Sequence, residues 1–268
     1  MTMEYGYCTG FSTTPRFQLG TELLGMIRES GFSYVEFPLM RFPSISPEGF
    51  SALRRQVEQT GLASPVACNF FPDSVRLVGK SVHCRQIDGY LACVLPRLQE
   101  LRVKKIVLGS GQSRTFESCQ TRNEACSQFK DILANVILPR TKTYGMVVCL
   151  EPFPSADCNL IVSVQEGADF VDAVGDASFR LMVDIHHMLA NGEPLASLSS
   201  CFSLIEHVHV AGRHRRIPQA EDAFVFAALR QLAELGYRKT LSFETGLPAS
   251  SGELARALNK VRCIMEES

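Results

Sequence analysis

Four short apolar runs in the second half of the chain each lead into side chains that bind metals or move protons. They are Leu150-Glu151-Pro152, Val183-Asp184-Ile185-His186-His187, His207-Val208-His209 and Phe243-Glu244-Thr245. Taken singly, each has an ordinary reading: a Glu after a strand caps a helix or faces water, and a His on a strand is a hydrogen-bonded core residue. From Glu151 to Asp184, His209 and Glu244 the steps are 33, 25 and 35 residues, each about one strand plus one helix. A fold that brings successive strand ends together therefore gathers three carboxylates and an imidazole at one point. Such a group is repulsive and poorly solvated unless something compensates it. A divalent cation is the natural compensation, and a mixed oxygen and nitrogen donor set suits Mn2+ or Mg2+ better than a sulfur-rich zinc site does. In His207-Val208-His209 both imidazoles face the same side of a strand, so one can ligate while the other lies deeper and supports it.

The elements that must position these groups follow from the apolar pattern. Strands are predicted at Tyr5–Cys8, Tyr34–Phe37, Pro65–Asn69, Lys105–Leu108, Met146–Leu150, Phe179–Val183, Leu204–Val210 and Thr240–Phe243. Between them lie amphipathic helices. One is Pro47 to Gly61, with Ser46 as N-cap, Pro47 at the first position and Gly61 at the end. Others are His83–Leu101, Glu124–Tyr144, Ser163–Val174, Ala223–Leu235 and Glu253–Met265, with kinks expected at Pro96 and Pro139. Apolar strands separated by helices pair in parallel and are buried on both faces. Eight such units predict a single-domain (β/α)8 TIM barrel over residues 1–268, with an open doubly wound sheet as the alternative. In such a barrel the functional residues lie at the C-terminal strand ends.

Composition narrows the function classes. The chain has 268 residues, 27 Lys+Arg against 28 Asp+Glu, and 46% hydrophobic residues, so there is material for a core and no electrostatic reason for a nucleic-acid partner. No apolar run reaches the ~18 residues of a membrane span. Ten cysteines without a C-x-x-C pair, behind an N-terminus with no signal pattern, read as reduced, mostly buried thiols of a cytoplasmic protein.

With these residues in view, the sequence resembles the xylose-isomerase-like sugar (phosphate) isomerase/epimerase superfamily, nearest to the ketose 3-epimerases of the D-tagatose 3-epimerase type. The resemblance is carried by Leu150-Glu-Pro-Phe153, Asp184-Ile-His-His187, His207-Val-His209 with Arg215-Arg-Ile-Pro218, and Ser242-Phe-Glu244, and more weakly by Asn69 to Gly111. It implies one divalent ion, Mn2+ first with Mg2+, Co2+ or Zn2+ as alternatives, held by Glu151, Asp184, His209 and Glu244. It also implies that Glu151 and Glu244 move the substrate proton and that His187, Arg215 and Asp157 contact the substrate. The partner implied is a small keto-sugar or sugar phosphate, with a homo-oligomer as a further expectation.

The chemistry is coherent. Epimerisation beside a carbonyl removes a C–H proton and passes through an ene-diolate, whose charge a metal chelating two neighbouring oxygens stabilises. Carboxylates on opposite faces allow removal from one side and return from the other. Some positions depart from the family: Pro154 and Ser155 stand where a polar pair is usual, Asp157 where a Glu is usual, and Ala211-Gly-Arg-His214 lacks an acidic residue. These are substrate-side positions. Without Trp, an apolar wall under a sugar must come from Phe, Tyr or Met; Phe11, Phe37, Phe70, Phe71 and Phe153 are candidates, with core packing expected for at least half of them. Gly109-Ser-Gly-Gln-Ser-Arg114 could cradle an anion, with Arg213, Arg215 and Arg216 adding charge. The leading expectation is C3 epimerisation of a ketose. A metal-dependent inosose or keto-sugar dehydratase is the main alternative. An abasic-site endonuclease or a non-catalytic sugar-binding subunit is less favoured; five of the six His fall between 186 and 214, whereas such nucleases spread many more over the chain.

Overall fold

Eight apolar runs become eight parallel strands because each is buried on both sides, by the barrel interior on one face and by helices on the other. The computed structural model describes residues 3–11 and 19–266. The strands are β1 Glu4–Cys8, β2 Tyr34–Pro38, β3 Val66–Cys68, β4 Lys105–Leu108, β5 Val147–Leu150, β6 Phe179–Asp184, β7 Ile205–Val210 and β8 Thr240–Phe243. They pair in chain order and close, β1 bonding to β8 through Glu4↔Thr240 to Tyr7↔Phe243. Closure rules out the open sheet. The third strand is shorter than its apolar run: Pro65 has no N–H to give the ladder, and Asn69 turns the chain out at φ 49.

The helices follow the predicted spans closely. Pro47–Thr60 begins with the Ser46 hydroxyl accepting from the Gly49 N–H and ends at Gly61 with φ 67. Cys84–Glu100 runs through Pro96 as one helix. The stretch read as Glu124–Tyr144 is instead segmented. It opens on a Thr121–Glu124 capping box, then passes through a π-helical turn at Leu133–Ile137 before finishing as Leu138–Thr143. Pro139 lacks an N–H and its ring crowds the carbonyl four residues back, so the turn ahead of it widens. No helix among the described residues is long and apolar enough to cross a membrane.

Two packing regions result. The larger lies between strands and helices; a smaller one inside the barrel joins Cys8, Tyr34, Val66, Cys68, Val107, Cys149 and Met182. Tyr34 crosses the interior to bond Ser242 Oγ at 2.8 Å. Its ring fills the space beside Gly6, where a Cβ would stand 2.0 Å from a ring carbon, so β1 must carry glycine there.

At the C-terminal rim, Arg114 ties three segments together. Its guanidinium is fully buried and donates to the Gly109, Leu160 and Glu151 carbonyls at 2.8, 3.1 and 2.7 Å. The side chain is thus turned inward and adds no positive charge to a phosphate cradle at Gly109–Arg114. Arg114→Leu would strand three buried acceptors. It should cost about 3 kcal/mol and lower the melting temperature by ~5–10 °C, read by thermal unfolding; an unchanged melting temperature would contradict this bracing role.

Candidate metal centre and substrate cavity

The four strand-end groups meet. One ligand atom from each of Glu151, Asp184, His209 and Glu244 lies within 4.8 Å of all the others, and all four residues are buried. Glu151 directly follows β5, its N–H bonded to the Leu108 carbonyl. Its carboxylate fits only because Gly109 opposite has no side chain: a Cβ there would stand 2.4 Å from Glu151 Oε2 and 2.8 Å from the Phe153 ring. Asp184 closes β6 and caps the next helix, Ile185–Asn191, through Oδ1, which accepts from the His186 and His187 N–H groups at 2.7 and 3.3 Å. That division of labour leaves Oδ2 for the centre. His209 on β7 lies in register with Asp184 on one side and Ser242 on the other. Glu244 follows β8, its N–H bonded to the Val210 carbonyl.

His209 Nδ1 carries the clearest sign of a missing partner. It is buried and has no hydrogen-bond partner among the described residues, yet Glu244 Oε2 and Glu151 Oε1 stand 3.4 and 4.0 Å away. A buried nitrogen among carboxylates, unpaired by any of the described residues, fits a divalent cation with three oxygen ligands and one nitrogen ligand. On the far side of the ring, Nε2 donates to Glu36 Oε1 at 3.0 Å. Glu36 Oε2 accepts from His207 Nε2 at 3.2 Å, and His207 Nδ1 meets the Thr240 hydroxyl at 2.8 Å. Fixing the proton on Nε2 of His209 leaves the Nδ1 lone pair aimed at the centre.

Sequence reasoning missed Glu36. The signal was present as a single charge inside the apolar strand Tyr34-Val35-Glu36-Phe37, two residues from Tyr34 and so on the same interior face. His207 stands, as expected, behind His209.

The electrostatics show a centre short of positive charge. Burial, with repulsion from Glu244, pushes the Glu151 carboxyl well above its usual value. Burial opposes ionisation of Asp184 as well, but the Arg215 guanidinium and nearby imidazoles outweigh it and hold that carboxyl far down. Burial likewise opposes charging of His209, and Glu36 and Glu244 overcome it, so Nδ1 holds a proton that a cation at the centre would displace to free its lone pair. Glu36 is kept ionised by the two imidazoles despite complete burial. Arg215 Nη1 bridges Asp184 Oδ2 and Glu244 Oε2 at 2.7 and 2.6 Å, while Nη2 donates to His187 Nε2 at 2.6 Å. His187 Nδ1 in turn donates to the Pro152 carbonyl at 3.1 Å. Burial lowers the basicity of His187, consistent with a neutral ring that accepts from Arg215.

A cavity of about 770 Å3 opens above the centre, with His187 and Arg215 in its lining together with Asn69, Phe71, Phe153 and Asp157. Phe11 also reaches it, 52% exposed, with the Arg215 guanidinium 4.7 Å from its ring centroid. Of the aromatic candidates, Phe37 and Phe70 are instead sealed in the core. Asp157 is an exposed rim residue, and Asn159 pins its loop by bonding both the N–H and the carbonyl of Phe116. Arg213 and Arg216 point to solvent.

Comparison with known proteins agrees with this architecture. A family model described as a xylose isomerase-like TIM barrel matches residues 24–261, and the chain belongs to that family. An L-ribulose 3-epimerase from Mesorhizobium japonicum is 24% identical over 226 residues, covering 83% of this chain and 74% of the relative. Among solved structures, a D-psicose 3-epimerase from Clostridium cellulolyticum H10 with D-tagatose superposes with a TM-score of 0.82 at 17% identity, covering 98% of this chain and all of the other. A 3-keto-D-glucoside 4-epimerase from E. coli gives 0.77 at 20% identity, covering 97% and 99%.

If the four groups hold a cation, Mn2+ should raise the melting temperature and a chelator should reverse the gain, by about 2.7 kcal/mol at a hundredfold excess over Kd. Glu36→Gln should weaken Mn2+ binding ~10–100-fold, and His209→Asn should weaken it more than His207→Asn, all read by calorimetric titration. No stabilisation by Mn2+, Mg2+, Co2+ or Zn2+ would reject the centre.

Proposed function

We propose that the chain is a divalent-metal-dependent sugar epimerase acting on a ketose, most simply at carbon 3. One observation carries this reading: Glu151 and Glu244 leave β5 and β8, three strands apart, and direct two carboxylates at one buried centre beneath a cavity of monosaccharide scale or larger. The names of the relatives point the same way. A divalent cation bound by Glu151, Asp184, His209 and Glu244, with Mn2+ the preferred ion, would supply Lewis-acid stabilisation of negative charge on two adjacent substrate oxygens.

The chain's own residues do the rest. One glutamate takes the proton from the carbon beside the carbonyl, and the other returns a proton to the opposite face, which inverts the centre. Burial and the neighbouring Glu244 carboxylate push the Glu151 carboxyl upward; a bound cation would offset that push and hold Glu151 ionised, as a base must be. Arg215 presents N–H donors to a substrate oxygen with a charge that does not titrate. His187, fixed by Pro152, orients Arg215 and lines the floor of the cavity. Phe153, with its ring centroid 4.6 Å from that of His187, and Phe71 offer apolar faces for the carbon side of a sugar.

Arg215→Ala should lower kcat/KM without lowering metal content, since Arg215 competes with the cation for Asp184 and Glu244; loss of metal in this variant would reject its substrate-side role. Glu151→Gln and Glu244→Gln should each keep much of the metal and lose ~10²–10⁴-fold in turnover. In deuterated water, each should still be able to exchange the substrate proton from one epimer while failing to invert it. Full epimerisation in both variants would reject the two-glutamate mechanism, and a product that has lost water would identify a dehydratase.

A further inference from the structure

The opposite arc of the barrel gathers a second set of ligand-grade groups. Cys8 at the end of β1 and Cys68 at the end of β3 bring their sulfurs to 3.3 Å, with 0% and 1% of each residue exposed. Glu36 on the intervening β2 completes a trio whose ligand atoms all lie within 4.8 Å of one another. Register explains the meeting: Cys8 pairs with Glu36, and Cys68 pairs with Pro38, two residues beyond Glu36 and on the same face of β2, so three adjacent strands turn these side chains to the same interior region. Neither thiol is bonded in a disulfide. Small apolar packing accounts for a buried cysteine but not for two sulfurs in polar contact beside a buried carboxylate. Asn69, next in sequence to Cys68, lines the cavity, so the pair lies one residue behind the cavity wall.

We propose that Cys8, Cys68 and Glu36 form a site for a thiophilic divalent cation of the Zn2+ or Cd2+ type, distinct from the Glu151–Asp184–His209–Glu244 centre. Binding replaces two S–H bonds with two sulfur–metal bonds and releases two protons to solvent, with no change in oxidation state. The two centres differ in softness. Carboxylates and an imidazole suit Mn2+ or Mg2+, whereas a thiolate pair selects the softer ion. Cys8 Sγ also lies 3.6 Å from Glu244 Oε1, so the two sites are close neighbours and each feels the other's charge.

The test requires no turnover and therefore stands apart from the proposed activity. The exposed residues Cys84, Cys93, Cys119 and Cys263 are replaced by serine, and the protein is loaded with Mn2+ and titrated with Cd2+. Bound metals are counted, and the ultraviolet sulfur-to-cadmium charge-transfer absorption and proton release are followed. The expected result is one Cd2+ taken up with Mn2+ retained, a charge-transfer band, and two protons released per ion. Cys68→Ser, or Cys8→Ser if the first does not fold by circular dichroism, should abolish the band. Cadmium binding without the band, displacement of Mn2+ without the band, or a band that survives the substitution would overturn the proposal.

Discussion

The interior of the barrel carries four carboxylates, Glu36, Glu151, Asp184 and Glu244, each almost wholly removed from water. Burying that much negative charge is prohibitive unless positive charge and hydrogen-bond donors are supplied at the same depth. Much of the rim is explained by that need. His207 and His209 clasp Glu36, Arg215 spans Asp184 and Glu244, and a helix N-terminus takes the second oxygen of Asp184. Glu151 is the member left without a strong partner, and its carboxyl is the one pushed upward. The place where positive charge is scarcest is thus beside Glu151, where a cation shared with Asp184, His209 and Glu244 would neutralise it.

Most of the framework was legible in the sequence because the barrel repeats one simple instruction: an apolar run to be buried on both sides, then an amphipathic helix. Lys105–Leu108 and Thr240–Phe243 coincide with their strands, and Ser46, Pro47 and Gly61 mark a helix whose ends the caps determine locally. Strand-end residues were legible for the same reason, since chain spacing alone brings them to one rim. What depends on tertiary context was not. Glu36 interrupts an apolar strand at its middle and acquires meaning only when β7 lies across the barrel. The helix Ile185–Asn191 is too short for a periodic signal and starts on a side chain that looked like a ligand alone. The widened turn before Pro139 reflects a clash whose outcome, a kink or a bulge, the pattern does not decide.

The aromatic residues show the same limit. Phe37 and Phe70 are indistinguishable from Phe71 and Phe153 by local sequence, yet the first two pack wholly in the core, Phe71 is a core residue that also touches the cavity, and Phe153 is the more open of the cavity-lining pair. In a strand the side chain alternates faces, and a shift of one residue at the exit of β2 or β3 exchanges wall for core. Substrate-side character is therefore written in register and loop geometry rather than in composition.

Arg114 has a bearing on how such a barrel can change over time. The loops at the C-terminal rim of this fold are ordinarily treated as exchangeable parts, each replaceable without consulting its neighbours. Here one guanidinium joins the exit of β4, the exit of β5 and the chain at Leu160, so two successive loops form one inherited unit. Recombination that imports either loop alone would leave carbonyls or an arginine without counterparts. Diversification of this rim is thereby channelled toward loops that Arg114 does not touch, such as those following β7 and β8, while the β4–β5 quarter drifts only by coordinated exchange.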